Sequence, residues 1–308
     1  MNTNLSISSW NVNGLGDKCK DDLFLSCMKY DINILLETWK GTDANFNIPD
    51  LNILQKCRKK QRRSKRFSGG IVILYKSKLH KGIYELQDMS TSKYRIWLKL
   101  DKVFFGLEKD LFICACYIPP VNSPYYDDGF LKLETEISQV SDKGIILLIG
   151  DLNARIANRS DFIENEDELC GTLQNILPDE YICDFNINRN SVDSVFNSQG
   201  QQLLDLCIAS QLRVLNGRLI GDMLGNMTCY KPNGTSTVDY TLASVDLVNS
   251  VNFFQVLDPS YLSDHVQIAV YLNCRVNPGI PGHGSIPDLT TESLILFIIS
   301  RTLVVVCY

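Results

Sequence analysis

Short apolar runs separated by turn residues dominate the first 275 residues, and this pattern predicts a fold built mainly from β-strands. The predicted strands span residues 5–10, 32–37, 70–75, 94–100, 111–117, 145–149, 238–242 and 266–272. Apolar positions at helical spacing predict helices over residues 127–140 and 201–210. Because the strands and helices do not alternate regularly, the pattern favours an α+β sandwich over a doubly wound sheet.

The composition changes after Cys274, where the segment NPGIPGHGSIP begins to break both helix and strand. We therefore predict one domain over residues 1–274, followed by a linker and apolar tail over 275–308. The apolar end is interrupted by Arg301 and is shorter than the roughly 20 residues that a membrane span requires, so we expect no membrane association. A translated non-coding or truncated-element tail and a hydrophobic helix both remain open for this segment.

Overall composition is that of a soluble globular protein, with 45% hydrophobic and 21% charged residues among 308. A net charge of −5 argues against a protein that coats nucleic acid through global positive charge, so any nucleic-acid binding must be local. The start MNTNLSISSW lacks the pattern of a secretory signal, and we expect an intracellular, nuclear protein. The 11 cysteines favour reduced core thiols over disulfides or a zinc site.

A dense basic run occupies residues 56–66, with eight lysines and arginines directly before the strand GGIVILYK. Like charges at this density predict a solvated loop. The loop could serve solubility alone, contact phosphates beside a functional site, or act as a nuclear-import signal.

Polar clusters follow or precede the predicted strands at six places. They are SWNVNGL at 9–15, LLETW at 35–39, YIPP at 117–120, GDLNAR at 150–155, STVDY at 236–240 and LSDH at 262–265. Each cluster alone is explained equally well as a turn or a strand end. Polar groups at the ends of several strands can, however, converge at one rim of a sheet, which is the arrangement that hydrolytic chemistry needs.

The order WNVNG, ET, Y, GDLN, DY and SDH resembles the motif series of the endonuclease/exonuclease/phosphatase superfamily, and it covers residues 5–273. The resemblance implies a two-sheet β-sandwich flanked by helices, with the active site at one edge of the sheets. Residues 197–240, with LLDLC, LRVLNGR and the following GD, G and T before STVDY, resemble the endonuclease domains of non-LTR (LINE-like) retrotransposons. Apurinic endonucleases share the catalytic motifs but match this stretch less closely.

A magnesium site follows from the donor types, because the candidate ligands are oxygen donors and the chain has only three histidines. Hard oxygen ligands select Mg²⁺, or Mn²⁺, over zinc. The resemblance implies Glu37 as the principal ligand, with Asn13, Asp264 and Asn11 in the same pocket. Asn13 stands where apurinic endonucleases usually carry an aspartate, which implies weaker binding or binding through water.

The resemblance also implies the catalytic groups. Asp151 would position and deprotonate the attacking water, and Asn153 would orient the water or donate to the phosphate. His265 would pair with Asp239, which fixes its tautomer and favours the imidazolium that stabilises the charged transition state. Tyr117 would provide a further phosphate contact.

Three functions fit this set of residues. The first is a monomeric Mg²⁺-dependent endonuclease that nicks DNA. The second keeps the fold but hydrolyses a phospholipid, an inositol phosphate or a messenger RNA tail. The basic run favours a nucleic-acid substrate over small phosphates. The third is a catalytically silent remnant of a mobile element that at most binds DNA.

Overall fold

The computed structural model describes residues 3–41, 48–58, 67–89, 92–127, 129–163 and 187–277. Within these parts of the chain the strands are β1 Thr3–Asn11, β2 Ile32–Leu36, β3 Leu51–Lys56, β4 Ile71–Lys76, β5 Ile83–Glu85, β6 Arg95–Leu100, β7 Asp110–Tyr117, β8 Gly144–Asp151, β9 Leu212–Val214, β10 Cys229–Lys231, β11 Gly234–Ser236, β12 Asp239–Ser244, β13 Val251–Val256 and β14 Ile268–Cys274. The α-helices are α1 Asp22–Cys27, α2 Lys102–Phe105, α3 Gly129–Ser138, α4 Ser198–Ala209 and α5 Val245–Val248.

Two mixed sheets of six strands each form the framework. The first sheet has the order β13-β14-β1-β2-β4-β3, and the second has the order β5-β6-β7-β8-β12-β9. The central pairs β1–β2 and β7–β8 are parallel, whereas β1–β14 and β8–β12 are antiparallel. Strands β10 and β11 form a separate hairpin. The predicted α+β class and two-sheet sandwich are therefore confirmed.

The main core lies between the sheets because successive side chains of a strand point to opposite faces. In β8, Leu147 and Ile149 belong to the core between the sheets, whereas Ile146 and Leu148 belong to a second cluster. This double burial explains why β8 is continuously apolar over residues 145–149 rather than alternating.

Helices cover the outer faces of both sheets. Leu133 of α3 and Leu203 of α4 belong to the cluster on the outer side of the second sheet, and Phe24 of α1 packs with Trp10 of the first. A buried ion pair between Glu136 of α3 and Arg95 of β6 fixes α3 on its sheet. The Glu136 side chain thereby receives a charged partner inside the protein.

All eight predicted strands correspond to strands of the structure, with ends shifted by one to two residues. The predicted helices over 127–140 and 201–210 correspond to α3 and α4. Residue 128, at the predicted start of the first helix, lies outside the described residues. The sequence pattern missed six strands, which are β3, β5, β9, β10, β11 and β13. All six lie at sheet edges or have only three residues, where an alternating pattern is weakest.

The predicted tail is described only at its start. The backbone N–H groups of Arg275 and Asn277 donate to the carbonyls of Phe105 and Phe104, at 3.0 and 2.8 Å. Residues 278–308 lie outside the described residues. Among those described, no helix has the length and apolar character needed to cross a membrane. The eight cysteines in these parts of the chain are free thiols.

Candidate active site

Polar side chains from both sheets meet at one edge of the sandwich, around a cleft of about 400 Å³. Strands β1, β2, β7 and β8 end at this edge, β12 begins there, and the segment before β14 returns to it. Eight of the nine predicted site residues line the cleft: Asn11, Asn13, Glu37, Tyr117, Asp151, Asn153, Asp264 and His265. The ninth, Asp239, lies behind His265.

Tight turns follow three of these strands. Asn13, Glu37 and Asn153 all adopt left-handed backbone conformations, with φ of 45°, 53° and 49°. Such conformations are uncommon for residues other than glycine. The strand-end side chains stabilise two of the turns, since Asn11 Oδ1 accepts from the Asn13 N–H and Asp151 Oδ1 from the Asn153 N–H, both at 3.0 Å. The same residues thus shape the backbone and present polar groups to the cleft.

Asp151 joins the two sheets at the base of the cleft. Its Oδ2 accepts a hydrogen bond of 2.8 Å from Asn11 Nδ2, which comes from the other sheet. Burial and the neighbouring Asp239 carboxylate raise the pKa of Asp151 to about 7, although His265 and the Asn11 hydrogen bond act in the opposite direction. A carboxylate with this pKa can exchange a proton near neutral pH.

His265 is held from two sides and is almost fully buried. Its Nδ1 lies 2.8 Å from Asp239 Oδ2, and its backbone carbonyl accepts from the Trp10 indole at 2.8 Å. Burial lowers the pKa of His265, but Asp239 and the Cys229 thiol raise it by more, to about 12. The imidazole is therefore positively charged at neutral pH, next to Asp151.

Tyr117 lies between the acidic groups and an aromatic neighbour. Burial and the Glu37 carboxylate hold the pKa of the Tyr117 hydroxyl well above its ordinary range, so the hydroxyl remains a donor. Its ring packs against Tyr94, with centroids 5.8 Å apart. Asn153 Nδ2 donates to the Ile118 carbonyl at 3.0 Å, which fixes the orientation of this amide.

Glu37 is oriented on the opposite wall. Its Oε2 accepts from the Trp39 indole N–H and, at 2.9 Å, from the backbone N–H of Gly69. Asn13 Nδ2 donates to Asp264 Oδ1 at 2.9 Å. These groups offer carboxylate and amide oxygens, which are ligands that Mg²⁺ and Mn²⁺ prefer. The donor set thus fits a hard divalent cation.

Several cleft residues escaped the sequence-based prediction, namely Trp39, Phe67, Tyr125 and Lys231, and Arg58 was considered only as part of the basic run. The basic run over residues 56–66 was predicted to be a solvated loop, and this is wrong for its start. Lys56 ends strand β3 and donates to the Arg95 carbonyl at 3.2 Å, and Arg58 is only 8% exposed. Aromatic rings and a backbone carbonyl receive these cations, which charge density alone does not reveal. Residues 59–66 lie outside the described residues.

Cys229 was also missed, because it was grouped with the core thiols. It is buried as expected, but its backbone forms an isolated antiparallel β-bridge with that of His265. The Cys229 thiol, Asp264 and His265 place potential ligand atoms within 4.8 Å of one another. The sequence carries no signal for this proximity, since residues 229 and 265 lie far apart along the chain.

Comparison with known families matches residues 163–269 to a family described as endonuclease-reverse transcriptase. Comparison with curated proteins finds no significant match.

Solved structures of DNA-processing enzymes share the fold over most of the chain. The AP endonuclease LMAP from Leishmania major has a TM-score of 0.62 and 13% identity, covering 88% of both chains. The 3′-5′ exonuclease NExo from Neisseria meningitidis has a TM-score of 0.56 and 16% identity, covering 87% of this chain and 99% of that one. The endonuclease domain of TRAS1, a telomere-specific non-LTR retrotransposon, has a TM-score of 0.54 and 13% identity, covering 88% and 99%. These matches confirm the predicted fold, which the chain shares with these enzymes.

Proposed function

The chain has the fold of the endonuclease/exonuclease/phosphatase superfamily of nucleases and phosphatases, and from this premise we propose that it is a Mg²⁺-dependent endonuclease that nicks DNA. One observation carries the proposal. A buried carboxylate with a pKa of about 7, Asp151, lies beside a positively charged imidazole, His265, at the base of an open cleft. Perturbed groups of opposite role in one cleft are typical of hydrolytic sites.

Asp151 is the group that takes the proton from the attacking water. At neutral pH a large fraction of it is ionised, and its Oδ2 is held in place by the Asn11 amide. Water loses a proton to this carboxylate as its oxygen forms a bond to phosphorus, and the phosphorus–oxygen bond to the leaving group breaks. A positioned base of this kind contributes roughly 10²–10⁴-fold to the rate.

The phosphate would be received by donors that lie close to Asp151. The His265 imidazolium, kept charged by Asp239, supplies a fixed positive charge for the negative charge that builds on the phosphate oxygens. The Tyr117 hydroxyl is a further donor, and Asn153 orients the water or the phosphate. Because burial holds these groups in place before the substrate arrives, little reorganisation is needed during the reaction.

Glu37, Asn13, Asp264 and Asn11 would hold the cation. When bound, Mg²⁺ supplies positive charge that neutralises the leaving oxygen. Lys231 Nζ lies 3.7 Å from Asp264 Oδ2, and so it offsets part of the negative charge of this group. Asn13 contributes no charge of its own, which is consistent with a weakly held cation.

Supercoiled plasmid provides the decisive test. We expect conversion to the nicked circle in Mg²⁺ and no conversion in EDTA, because the proposed mechanism relies on the cation to neutralise the leaving oxygen. Asp151→Asn and His265→Ala should lower turnover by roughly 10² or more while circular dichroism stays unchanged. Nicking that survives thorough chelation would contradict the metal assignment, and wild-type rates in both variants would contradict the mechanism.

The same assay separates the alternative functions. A folded wild-type chain that releases phosphate from a phospholipid or an inositol phosphate but leaves plasmid intact would have the second function. A chain that binds DNA and hydrolyses none of these substrates would be a silent remnant. We favour DNA because Arg58 and Lys231 place positive charge in the cleft lining, where an extended polyanion can reach both.

We further propose a retrotransposon origin and action in the nucleus as a monomer. The matched family carries the description endonuclease-reverse transcriptase, and the TRAS1 domain shares the fold. Both observations support the origin. The site residues needed for catalysis in the proposed mechanism are all present in this chain, which supports an active enzyme over a remnant.

A further inference from the structure

Arg58 is a buried cation at the wall of the active-site cleft. Arg58 lies two residues after the end of strand β3. Only 8% of it is exposed, although the residues that follow it in the sequence are strongly basic. Its guanidinium carbon lies 4.8 Å from the ring centroid of Tyr94 and 4.4 Å from that of Tyr125. Two aromatic faces therefore hold one guanidinium, and such contacts attract the cation electrostatically.

The surroundings fix this guanidinium before any ligand binds. The Tyr94 hydroxyl donates to the Tyr125 carbonyl at 3.1 Å, which ties the two tyrosines to each other. On a third side stands Gly69, where a Cβ atom would lie 2.6 Å from Arg58 Cδ and 2.8 Å from Nη1. Gly69 also adopts a φ of +71° that favours glycine. The backbone at this point leaves space for the arginine and for little else.

The charge of Arg58 faces a cleft that is otherwise rich in acidic groups. Glu37, Asp151 and Asp264 line the same cleft, and together they repel an anionic substrate. A planar guanidinium supplies both positive charge and a fork of donors that matches two phosphate oxygens. Because its aromatic neighbours already restrict it, little side-chain freedom is lost when it binds.

The position of Arg58 distinguishes it from the groups around the reacting phosphorus. Tyr117, which faces Asp151 and Glu37, packs against Tyr94, and Arg58 lies against the Tyr94 ring as well. The Tyr94 ring thus contacts both Tyr117 and Arg58, which are two separate members of the cleft lining. Successive phosphates of an extended strand can reach both positions, since a nucleic-acid strand carries one negative charge per nucleotide.

We propose that Arg58, held between Tyr94 and Tyr125, is a binding site for a DNA phosphate next to the one that is cut. This inference rests on the proposed function and adds a subsite to it. Arg58 sets where the strand lies in the cleft and does not touch the reacting atoms. It is also a single, preformed contact, in contrast with diffuse attraction by a basic loop.

Binding measured against salt concentration tests the charge contact. Fluorescence anisotropy of a labelled DNA duplex in EDTA, which stops hydrolysis, gives the dissociation constant for the wild type, Arg58→Met, Arg58→Lys and Arg159→Met. Arg159 is an exposed arginine that lies over the Phe196 ring outside the cleft lining, so it is a matched control for the loss of one stacked guanidinium.

We expect Arg58→Met to bind roughly tenfold or more weakly, and to reduce the slope of log binding constant against log salt by about 0.9. Arg58→Lys keeps the charge and the long stem, so it should retain the slope but bind more weakly because the fork is lost. Arg159→Met should match the wild type in both quantities. If Arg58→Met unfolds, which a thermal melt would reveal, the lysine variant still separates charge from geometry.

Single methylphosphonate substitutions along the duplex identify the phosphate. We expect one position beside the nicked bond at which the uncharged group weakens the wild type but no longer weakens Arg58→Lys or Arg58→Met to the same degree. An unchanged salt slope in Arg58→Met, or equal sensitivity to every substitution in all variants, would overturn the inference. Arg58-dependent binding without plasmid nicking in Mg²⁺ would support this subsite while contradicting the proposed function, and nicking with an unchanged slope would do the reverse.

Discussion

The buried pair His265–Asp239 allows one substitution to be worked through in numbers. Two unit charges 2.8 Å apart attract each other by about 6 kcal/mol at an effective dielectric constant of about 20, which corresponds to roughly 4 pKa units. Asp239→Asn keeps the shape of the side chain and removes its charge. The pKa of His265 should therefore fall by roughly 4 units from about 12, because burial and the lost attraction both disfavour the charged imidazole.

In Asp239→Asn the imidazole should therefore lose its positive charge as the pH rises through about 8, within the range of the assay, whereas the wild type keeps it. Loss of a preorganised positive charge at the phosphate costs roughly 10²–10³ in turnover. Asp239 also raises the pKa of Asp151, so the substitution should lower that pKa too. Both groups then reach their active protonation states at lower pH, and the optimum of the pH–rate profile should move to the acidic side.

Single-turnover nicking in Mg²⁺ across a range of pH measures this shift, with His265→Ala as the matched control. The control lacks the imidazole, so lowering the pH should restore none of its activity. Nitrogen-15 NMR of the metal-free protein reports the charge of His265 independently of turnover. The reasoning would be refuted if Asp239→Asn kept the wild-type profile, or if its His265 kept the pKa that the imidazole has in the wild type.

Two further substitutions test the site and its support. Asn11→Ala removes the donor that lowers the pKa of Asp151, so the acidic limb of the pH–rate profile should move upward, opposite to Asp239→Asn; an unmoved limb would contradict the role of this hydrogen bond. Glu136→Ala leaves the fully buried Arg95 without its carboxylate, and urea denaturation should show a loss of about 3–5 kcal/mol in the free energy of unfolding. Nicking per folded molecule should stay at the wild-type level, and a change below about 1 kcal/mol would show that Arg95 is solvated in some other way.

Local sequence patterns predicted most of the strands that form the two sheets. Strands β7 and β8 were predictable because both of their faces are buried, which makes them continuously apolar over five to six residues. The convergence of polar groups was predictable because each of them adjoins such a strand. Strands β9, β10 and β11 have three residues each, and their pairing depends on distant partners rather than on a local pattern.

The parts of the site that were missed depend on contacts across the chain. Arg58 is buried because Tyr94 and Tyr125 approach it from other elements and Gly69 leaves room, and none of this is visible in a run of basic residues. Cys229 lies next to His265 because the chain segment before β14 pairs with the backbone of Cys229. The density of basic residues did not reveal the burial of Arg58, and the apolar context of the cysteines did not reveal the position of Cys229. Both patterns describe neighbours in sequence, whereas burial and contacts depend on neighbours in space.

The antiparallel pairing of β1 with β14 has a consequence for synthesis on the ribosome. Asn11 is synthesised 252 residues before Ser263, whose Oγ donates to the Asn11 carbonyl at 2.7 Å, and β1 pairs with residues as late as Cys274. A nascent chain that stops before Ser263 lacks both His265 and strand β14 of the first sheet. Translation that ends before this segment would therefore release a polypeptide that lacks the proposed nicking activity.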